Sequence, residues 1–333
     1  MKIFVFEVEN WLASVSPIGL ESHELILVEG PLNADNAHLY SEAEIVSVFV
    51  HSVLNKTIFE QMPNLQFIAT RSTGYDHVNC KDCAQRNIKV ANVPSYGAPT
   101  VAEHVFAMLL SLSHRMTEAV DRTRRGDFSS HGLRGFDLKG KTLGVIGTGS
   151  IGKYVIEIAG GFSMHVIAHD IAPNRSIARQ LGFDYVNLKV LLETSDIISL
   201  HVPLVSSTHH LIGPSEFNLM KDGVVLINTA RGEIIDTNAL LRALSDGKVA
   251  AAGLDVLPEE PAIREEAELL NSVFAREHNL ETLLINHILL RMRNVIITPH
   301  NAFNTVEAVQ RINDITSHNI HSYITGNPDN LVS

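Results

Sequence analysis

Only two cysteines occur in the 333 residues, Cys80 and Cys83. So few exclude a disulfide framework and fit a reducing compartment. Positive charge is also scarce: 26 Lys and Arg stand against 37 Asp and Glu, a formal net charge of -11. That balance sets aside a protein whose main partner is nucleic acid or an anionic membrane surface. No apolar run reaches the roughly 18 residues that span a bilayer, and the opening MKIFVFEVEN carries one Lys and then acidic residues rather than an export signal. The expectation is a soluble, cytoplasmic protein. Internal repeats and low-complexity tracts are lacking as well, and with 45% apolar and 19% charged residues the chain reads as globular, with two domains. The C-x-x-C pair has no second Cys or His pair at zinc spacing, and HVNCKDCAQRN reads as a short helix carrying two ordinary cysteines, so no metal is expected.

What is present is rhythm. Short apolar runs at 3–9, 24–30, 45–50, 65–70 and 89–93 alternate with polar helical stretches, the pattern of βαβ units on a parallel sheet. One long helix is predicted over 100–125, opened by Pro99 and closed by Gly126, with an apolar face wide enough to cross domains or form a dimer. A second, stronger set follows: TLGVIG, MHVIAHD, IISLHVP, VVLINTA, VAAAGLDV and NVIITPH, six strands in sequence, as in a doubly wound dinucleotide domain. Residues 259–292 interrupt the last crossover with one or two extra helices. An amphipathic helix at 305–326 is expected to return over the first domain, making that domain discontinuous: 1–100 and 300–333 around 101–299.

Within TLGVIGTGSIG, Gly147, Gly149 and Gly152 form G-x-G-x-x-G between a strand and a helix. The first permits a tight turn, the second lets backbone N–H groups approach a pyrophosphate, and the third allows close helix packing. The next strand ends in Asp170, eighteen residues after Gly152, where a carboxylate would accept from the adenosine ribose hydroxyls. Its charge would repel a 2′-phosphate, which favours NAD; Arg175, five residues on, keeps NADP open.

Three titratable residues stand at or beyond apolar strand ends, where open parallel sheets hold ligands: Arg231, Glu260 and His300. Singly they read as a surface ion pair, a loop acid and a cap. Behind a dinucleotide fingerprint they supply what a 2-keto acid reductase needs: paired donors for carboxylate and carbonyl, a proton donor, and a carboxylate that orients the imidazole and favours its charged form.

These residues lie in RSTGYDHV (71–78), VPSYGAPTVAEH (93–104), GVIGTGSIG (144–152), LHVP (200–203), INTARGEIIDTNAL (227–240), GLDVLPEEP (253–261) and TPHNAF (298–303). In these motifs and their order the chain closely resembles the D-isomer-specific 2-hydroxyacid dehydrogenases over essentially its whole length. The resemblance implies an α/β fold of two doubly wound parallel sheets, a flavodoxin-like substrate domain and an inserted Rossmann NAD-binding domain with a cleft between them, and a homodimer joined through the VAEH helix. It implies catalysis by Arg231, Glu260 and His300, with the backbone of Ser72, Thr73 and Gly74 binding the substrate carboxylate. Cofactor contacts fall on Ser150 and Ile151 at the pyrophosphate and on Asp170 at the ribose. Val202, Pro203 and Thr208 lie near the adenosine half, and Thr229, Ala230, Arg231 and Asp255 near the nicotinamide. Glu260 rather than Glu259 matches because the family's acid stands five residues after the Asp of its G-x-D motif, here Asp255.

Two departures from the commonest family pattern, the roughly thirty residues between Glu260 and Asn294 and the pair Ala302-Phe303, resemble the lactate dehydrogenase subset. Tyr96 and Phe303, both large and aromatic, are expected to border the substrate's C3 atom and leave a small apolar pocket suited to pyruvate. Glyoxylate and hydroxypyruvate fit such a pocket too. A NAD-sensing corepressor-like protein, which keeps the same fold, is the reading from another class; the absence of long disordered extensions stands against it.

Overall fold

The computed structural model describes residues 1–8, 22–258 and 280–332. They divide into two compact units, Met1–Tyr96 with Asn304–Ser333, and Gly97–Phe303.

In the first unit β1 (Lys2–Val5), β2 (Glu24–Leu27), β3 (Ile45–Val48), β4 (Phe67–Thr70) and β5 (Lys89–Ala91) form a five-stranded parallel sheet. Its order is β2-β1-β3-β4-β5, the flavodoxin-like arrangement, which reverses between β1 and β3. All four residues of β3 and of β4 are buried, so these strands are mostly apolar on both faces, with Ser47 and Thr70 the exceptions. One face is covered by helices α1 (Lys56–Gln61) and α2 (Cys80–Gln85), whose Ile58, Phe59 and Cys83 join Phe4, Val46 and Ile68. On the other face lies the last helix, Val306–Ile324: Ile320 packs among Ile3, Ile45 and Phe67, and Tyr323 stacks on Phe67 at 4.3 Å. Burial and the neighbouring Cys80 and Asp82 push the Cys83 thiol up to about 12, and burial raises that of Cys80, so neither is a ready thiolate.

In the second unit helices α3 (Ala98–Ser113) and α4 (Met116–Arg124) precede a parallel sheet of seven strands. These are β6 (Thr142–Ile146), β7 (His165–His169), β8 (Asp184–Tyr185), β9 (Ile197–Leu200), β10 (Val224–Asn228), β11 (Val249–Leu254) and β12 (Val295–Ile297). The order β12-β11-β10-β9-β6-β7-β8 is that of a Rossmann sheet, with its topological switch between β6 and β9. Helix α5 (Ser150–Gly161) follows β6, and α3 lies against it, placing Val105, Phe106 and Leu109 among Val155, Ile156 and Ala159. The helices α6 (Arg175–Leu181), α7 (Leu188–Thr194), α8 (Pro214–Leu219), α9 (Thr237–Ser245) and α10 (Leu280–Arg291) complete the described unit, and the last helix of the chain, Val306–Ile324, is α11.

Three sequence expectations are corrected. The single helix over 100–125 is two: Arg115 stands between them with φ 50°, and the Ser113 carbonyl is taken by the N–H of Phe136 at 3.0 Å, which ends α3. The second sheet has a seventh strand, β8, whose two residues are too few to show periodicity. The domain boundaries shift at both ends: residues 97–100 belong to the second unit, where they open α3, and so do 300–303, because Asp255 after β11 binds their backbone. Among the described residues no helix is long and apolar enough to cross a membrane.

Candidate active site

The glycine turn follows β6. Gly147 has φ 95°, where a side chain would be strained, and a Cβ there would also press the His201 carbonyl oxygen at 2.6 Å. Gly152 sits against the Gly147 carbonyl so closely that any Cβ would collide with it. Gly149 differs: a Cβ there would meet nothing within 4 Å, and as the N-cap of α5 it supplies no side-chain acceptor to the helix's first N–H groups. The turn is therefore a cradle of backbone donors opening on free space, with Ser150 and Ile151 in the first turn of α5, as a pyrophosphate requires.

Asp170 follows β7. Its Oδ2 accepts from Thr148 N–H at 2.7 Å and Thr148 hydroxyl at 2.9 Å, and its Oδ1 from Ala172 N–H at 2.9 Å. Partial burial opposes ionisation, but the hydrogen bonds from Ala172 and Thr148 outweigh it and hold the carboxyl below its ordinary value. The carboxylate is thus charged and available through Oδ1. Farther along, the Thr208 hydroxyl donates to Pro203 O at 2.6 Å and accepts from Val205 N–H, so it closes the loop after Val202 instead of pointing free.

Arg231 follows β10 and is held by Asn228, a buried residue that the sequence reading missed. Asn228 Oδ1 accepts from Ala230 N–H at 3.0 Å and its Nδ2 donates to Arg231 O at 2.8 Å, so one amide staples both sides of the loop. The Arg231 guanidinium donates to Ala230 O at 2.7 Å. Thr229 Oγ1 is buried with no partner among the described residues, an orphaned polar atom that fits a carboxamide or similar group of the cofactor.

His300 has φ 50°, and its N–H lies 2.9 Å from the carbonyls of both Asp255 and Thr298. Asp255 gathers the whole turn: Oδ1 accepts from the Thr298 hydroxyl at 2.5 Å and Asn301 N–H at 3.0 Å, Oδ2 from Ala302 N–H at 3.0 Å. Because the Thr298 proton goes to Asp255, the same oxygen accepts from His104 Nε2 at 3.1 Å, which assigns that imidazole's proton. Burial pushes the Asp255 carboxyl up, against the hydrogen bonds from Thr298 and Ala302 and the fields of His104 and His300. Only the motif VAEH hinted at His104. Asp255, assigned to the cofactor from sequence, is here a holder of the His300 turn as well. Glu260 and Glu259 lie outside the described residues.

The second unit thus brings Arg231, Asp255 and His300 to the ends of three adjacent strands. Ser72, Thr73, Gly74 and Tyr96 belong to the first unit. There Arg71 is buried and donates to Phe6 O at 2.5 Å, Glu7 O at 3.1 Å and Ser47 Oγ at 3.2 Å, fixing the start of the loop. Burial lowers its guanidinium to about 10, opposed by the charge of Glu7. The carbonyls of Ser72, Thr73 and Gly74 accept from Val93 N–H, Asn92 Nδ2 and Ser72 Oγ respectively. Their N–H groups have no hydrogen-bond partner among the described residues, which leaves three adjacent donors for an anion. Tyr96 is fixed through its carbonyl by Arg311 Nε at 2.6 Å.

Residues 106–302 match the model of the NAD binding domain of D-isomer specific 2-hydroxyacid dehydrogenases. The chain is 35% identical over 321 residues to the D-lactate dehydrogenase of Escherichia coli, covering 94% of this chain and 92% of that one. It is also 35% identical over 300 residues to the glyoxylate reductase of Thermococcus litoralis, covering 88% and 84%. The solved D-lactate dehydrogenase of Aquifex aeolicus, complexed with NAD and lactic acid, superposes with a TM-score of 0.87 at 34% identity, over 99% of both chains. The chain belongs to the D-isomer-specific 2-hydroxyacid dehydrogenases. It is an oxidoreductase of the CH-OH group of D-2-hydroxy acids that uses NAD.

Gly149→Ala separates fold from cofactor binding. With open space around the added methyl, the melting temperature should stay near that of the wild type, while the NADH dissociation constant rises at least about tenfold because the methyl occupies the pyrophosphate's approach. Calorimetric titration checks this; unchanged affinity would mean that the pyrophosphate binds elsewhere.

Proposed function

We propose that the enzyme reduces pyruvate to D-lactate with NADH. NADH, when bound along the glycine turn, would supply the hydride for the keto carbon. Arg231 holds the substrate carboxylate and polarises the carbonyl through its planar fork, and His300 delivers a proton to the oxygen that becomes the hydroxyl. Glu260 orients the imidazole. The N–H groups of Ser72, Thr73 and Gly74 add donors to the carboxylate. Val202, Pro203 and Thr208 border the adenosine half, and Thr229, Ala230 and Asp255 the nicotinamide. Tyr96 and Phe303 restrict the substrate's side chain to about the size of a methyl.

The observation that carries this reading is the pair of staples, Asn228 on the Arg231 loop and Asp255 on the His300 turn, at the ends of neighbouring strands. They preorganise a carboxylate-binding cation and a proton donor, which is what acid-base reduction of a keto acid needs. The D-lactate dehydrogenases of E. coli and A. aeolicus, matched over nearly their full lengths, support pyruvate. Reduction of glyoxylate or hydroxypyruvate is the second reading, supported by the equally similar T. litoralis glyoxylate reductase.

The test is NADH consumption with pyruvate, glyoxylate, hydroxypyruvate and phenylpyruvate in parallel. Pyruvate should give the highest kcat/KM and phenylpyruvate the lowest; a tenfold or greater advantage for glyoxylate or hydroxypyruvate would move the assignment to the second reading. A homodimer formed through α3 and α4 is part of the proposal, supported by the exposed apolar side chains of Met116, Val120 and Phe128. A monomeric mass in sedimentation equilibrium would remove it.

A further inference from the structure

Thr148 stands between the first two glycines of the turn, and its hydroxyl oxygen has two partners: Asp170 Oδ2 at 2.9 Å and the Tyr185 hydroxyl at 2.7 Å. Proton counting fixes the directions. The ionised carboxylate only accepts, so the single Thr148 proton goes to Asp170, and Thr148 in turn accepts the Tyr185 proton. With Thr148 N–H also donating to Oδ2 at 2.7 Å, that oxygen is fully committed within the protein. Oδ1 holds Ala172 N–H at 2.9 Å and keeps a lone pair.

We infer that Tyr185 is a positioning residue for the cofactor's adenosine ribose: acting through Thr148, it pins the Asp170 carboxylate so that Oδ1 alone is presented to the ribose hydroxyls, and it thereby helps to select NAD over NADP. The inference rests on reading Asp170 as the ribose acceptor. The fold explains how the phenol gets there. Tyr185 is on the edge strand β8, paired with Ala168, and the ends of β6, β7 and β8 lie side by side, with Gly147 N–H bonded to His169 O and Val186 N–H to Ala168 O, both at 2.9 Å. From β8 the side chain reaches past the end of β7 to the turn after β6. The ring is steadied by the edge of buried Phe183, at 5.0 Å and 68°. Packing alone would be served by a phenylalanine; the hydroxyl is accounted for by the bond to Thr148. A loosely held carboxylate could swing away from a 2′-phosphate and relieve the repulsion, whereas one held by three donors keeps its charge in place.

The experiment is calorimetric titration of NADH and NADPH into Tyr185→Phe, Thr148→Val, Thr148→Ser and Asp170→Ala, with thermal melts of each. Tyr185→Phe, which removes one hydrogen bond, should weaken NADH about three- to tenfold and lower the NADPH-to-NADH ratio of dissociation constants at least about threefold, and Thr148→Val, which removes two, should do so at least as strongly. Thr148→Ser keeps the hydroxyl and should keep the wild-type ratio. In steady state the effect should fall on the cofactor's KM rather than on kcat. If Asp170→Ala changes the ratio while Tyr185→Phe and Thr148→Val both leave it alone, or weaken the two cofactors equally, the role of Tyr185 is overturned. If Asp170→Ala itself leaves the ratio unchanged, the ribose reading fails instead. Should Tyr185→Phe not fold, Tyr185→Leu removes the same bond and is read in its place, because Thr148→Val also breaks the bond to Asp170.

Discussion

His300→Gln should lower kcat/KM for keto acid reduction by about 10²- to 10⁴-fold at every pH, the range that general acid catalysis contributes. Glutamine has a comparable reach and a hydrogen-bonding end, but it has no proton to give at neutral pH. The hydride and the proton arrive at the two ends of one carbonyl, so removing the proton source stalls reduction without touching cofactor binding. NADH affinity in the variant should therefore match the wild type. In the wild type the two directions should run oppositely with pH: reduction requires the imidazole protonated and falls as pH rises, while oxidation of the D-hydroxy acid requires it neutral and rises. The turn should survive the substitution, because the backbone N–H groups of residues 300, 301 and 302 tie it to Asp255 whatever the side chain at 300. A loss under about tenfold, or one confined to high pH, would place the proton donor on another residue.

How much of this could be read from the chain depends on the range of the interaction. Strand positions follow from apolar runs, and G-x-G-x-x-G followed by Asp170 is a local pattern, so the glycine turn, Asp170 and the strand-end residues Arg231 and His300 could all be picked out as candidates. What holds them could not. Asn228 stands inside a strand by pattern, and its staple across Ala230 and Arg231 appears only once the chain bends after β10. Asp255 binds residues over forty positions away, and His104 meets Thr298 across 194 positions. Such pairings leave no periodicity in a single sequence. The break at Arg115 was hidden for the same reason: the amide that takes the Ser113 carbonyl comes from Phe136. Strand β8, with two residues, carried no signal, and with it the contact of Tyr185 was hidden too.

Gly232 gives the largest effect expected from a single methyl. It follows Arg231 directly, and a Cβ there would lie 2.7 Å from Leu257 O and closer still to Leu257 C and Pro258 N. All three are backbone atoms, which cannot turn aside as a side-chain end can. The glycine therefore lets the Arg231 loop touch the segment leading out of β11, two residues before Glu260 in the chain. Gly232→Ala must push the two segments apart, and a displacement of about 1 Å at a substrate-holding group is enough to cost roughly 10²-fold in kcat/KM. The overpacking should also lower stability by about 1–3 kcal/mol, or roughly 2–12 °C in melting temperature. The glycine turn and Asp170 are on other strands, so NADH should lose only what the displaced Thr229 and Ala230 give the nicotinamide, while the larger damage should appear in the keto acid's KM and in kcat together. Stopped-flow NADH binding, steady-state kinetics and a thermal melt on one preparation check all three expectations. A variant that melts lower and retains wild-type kcat/KM would mean that the close approach at Gly232 serves the fold alone and that Arg231 is positioned by Asn228 without it.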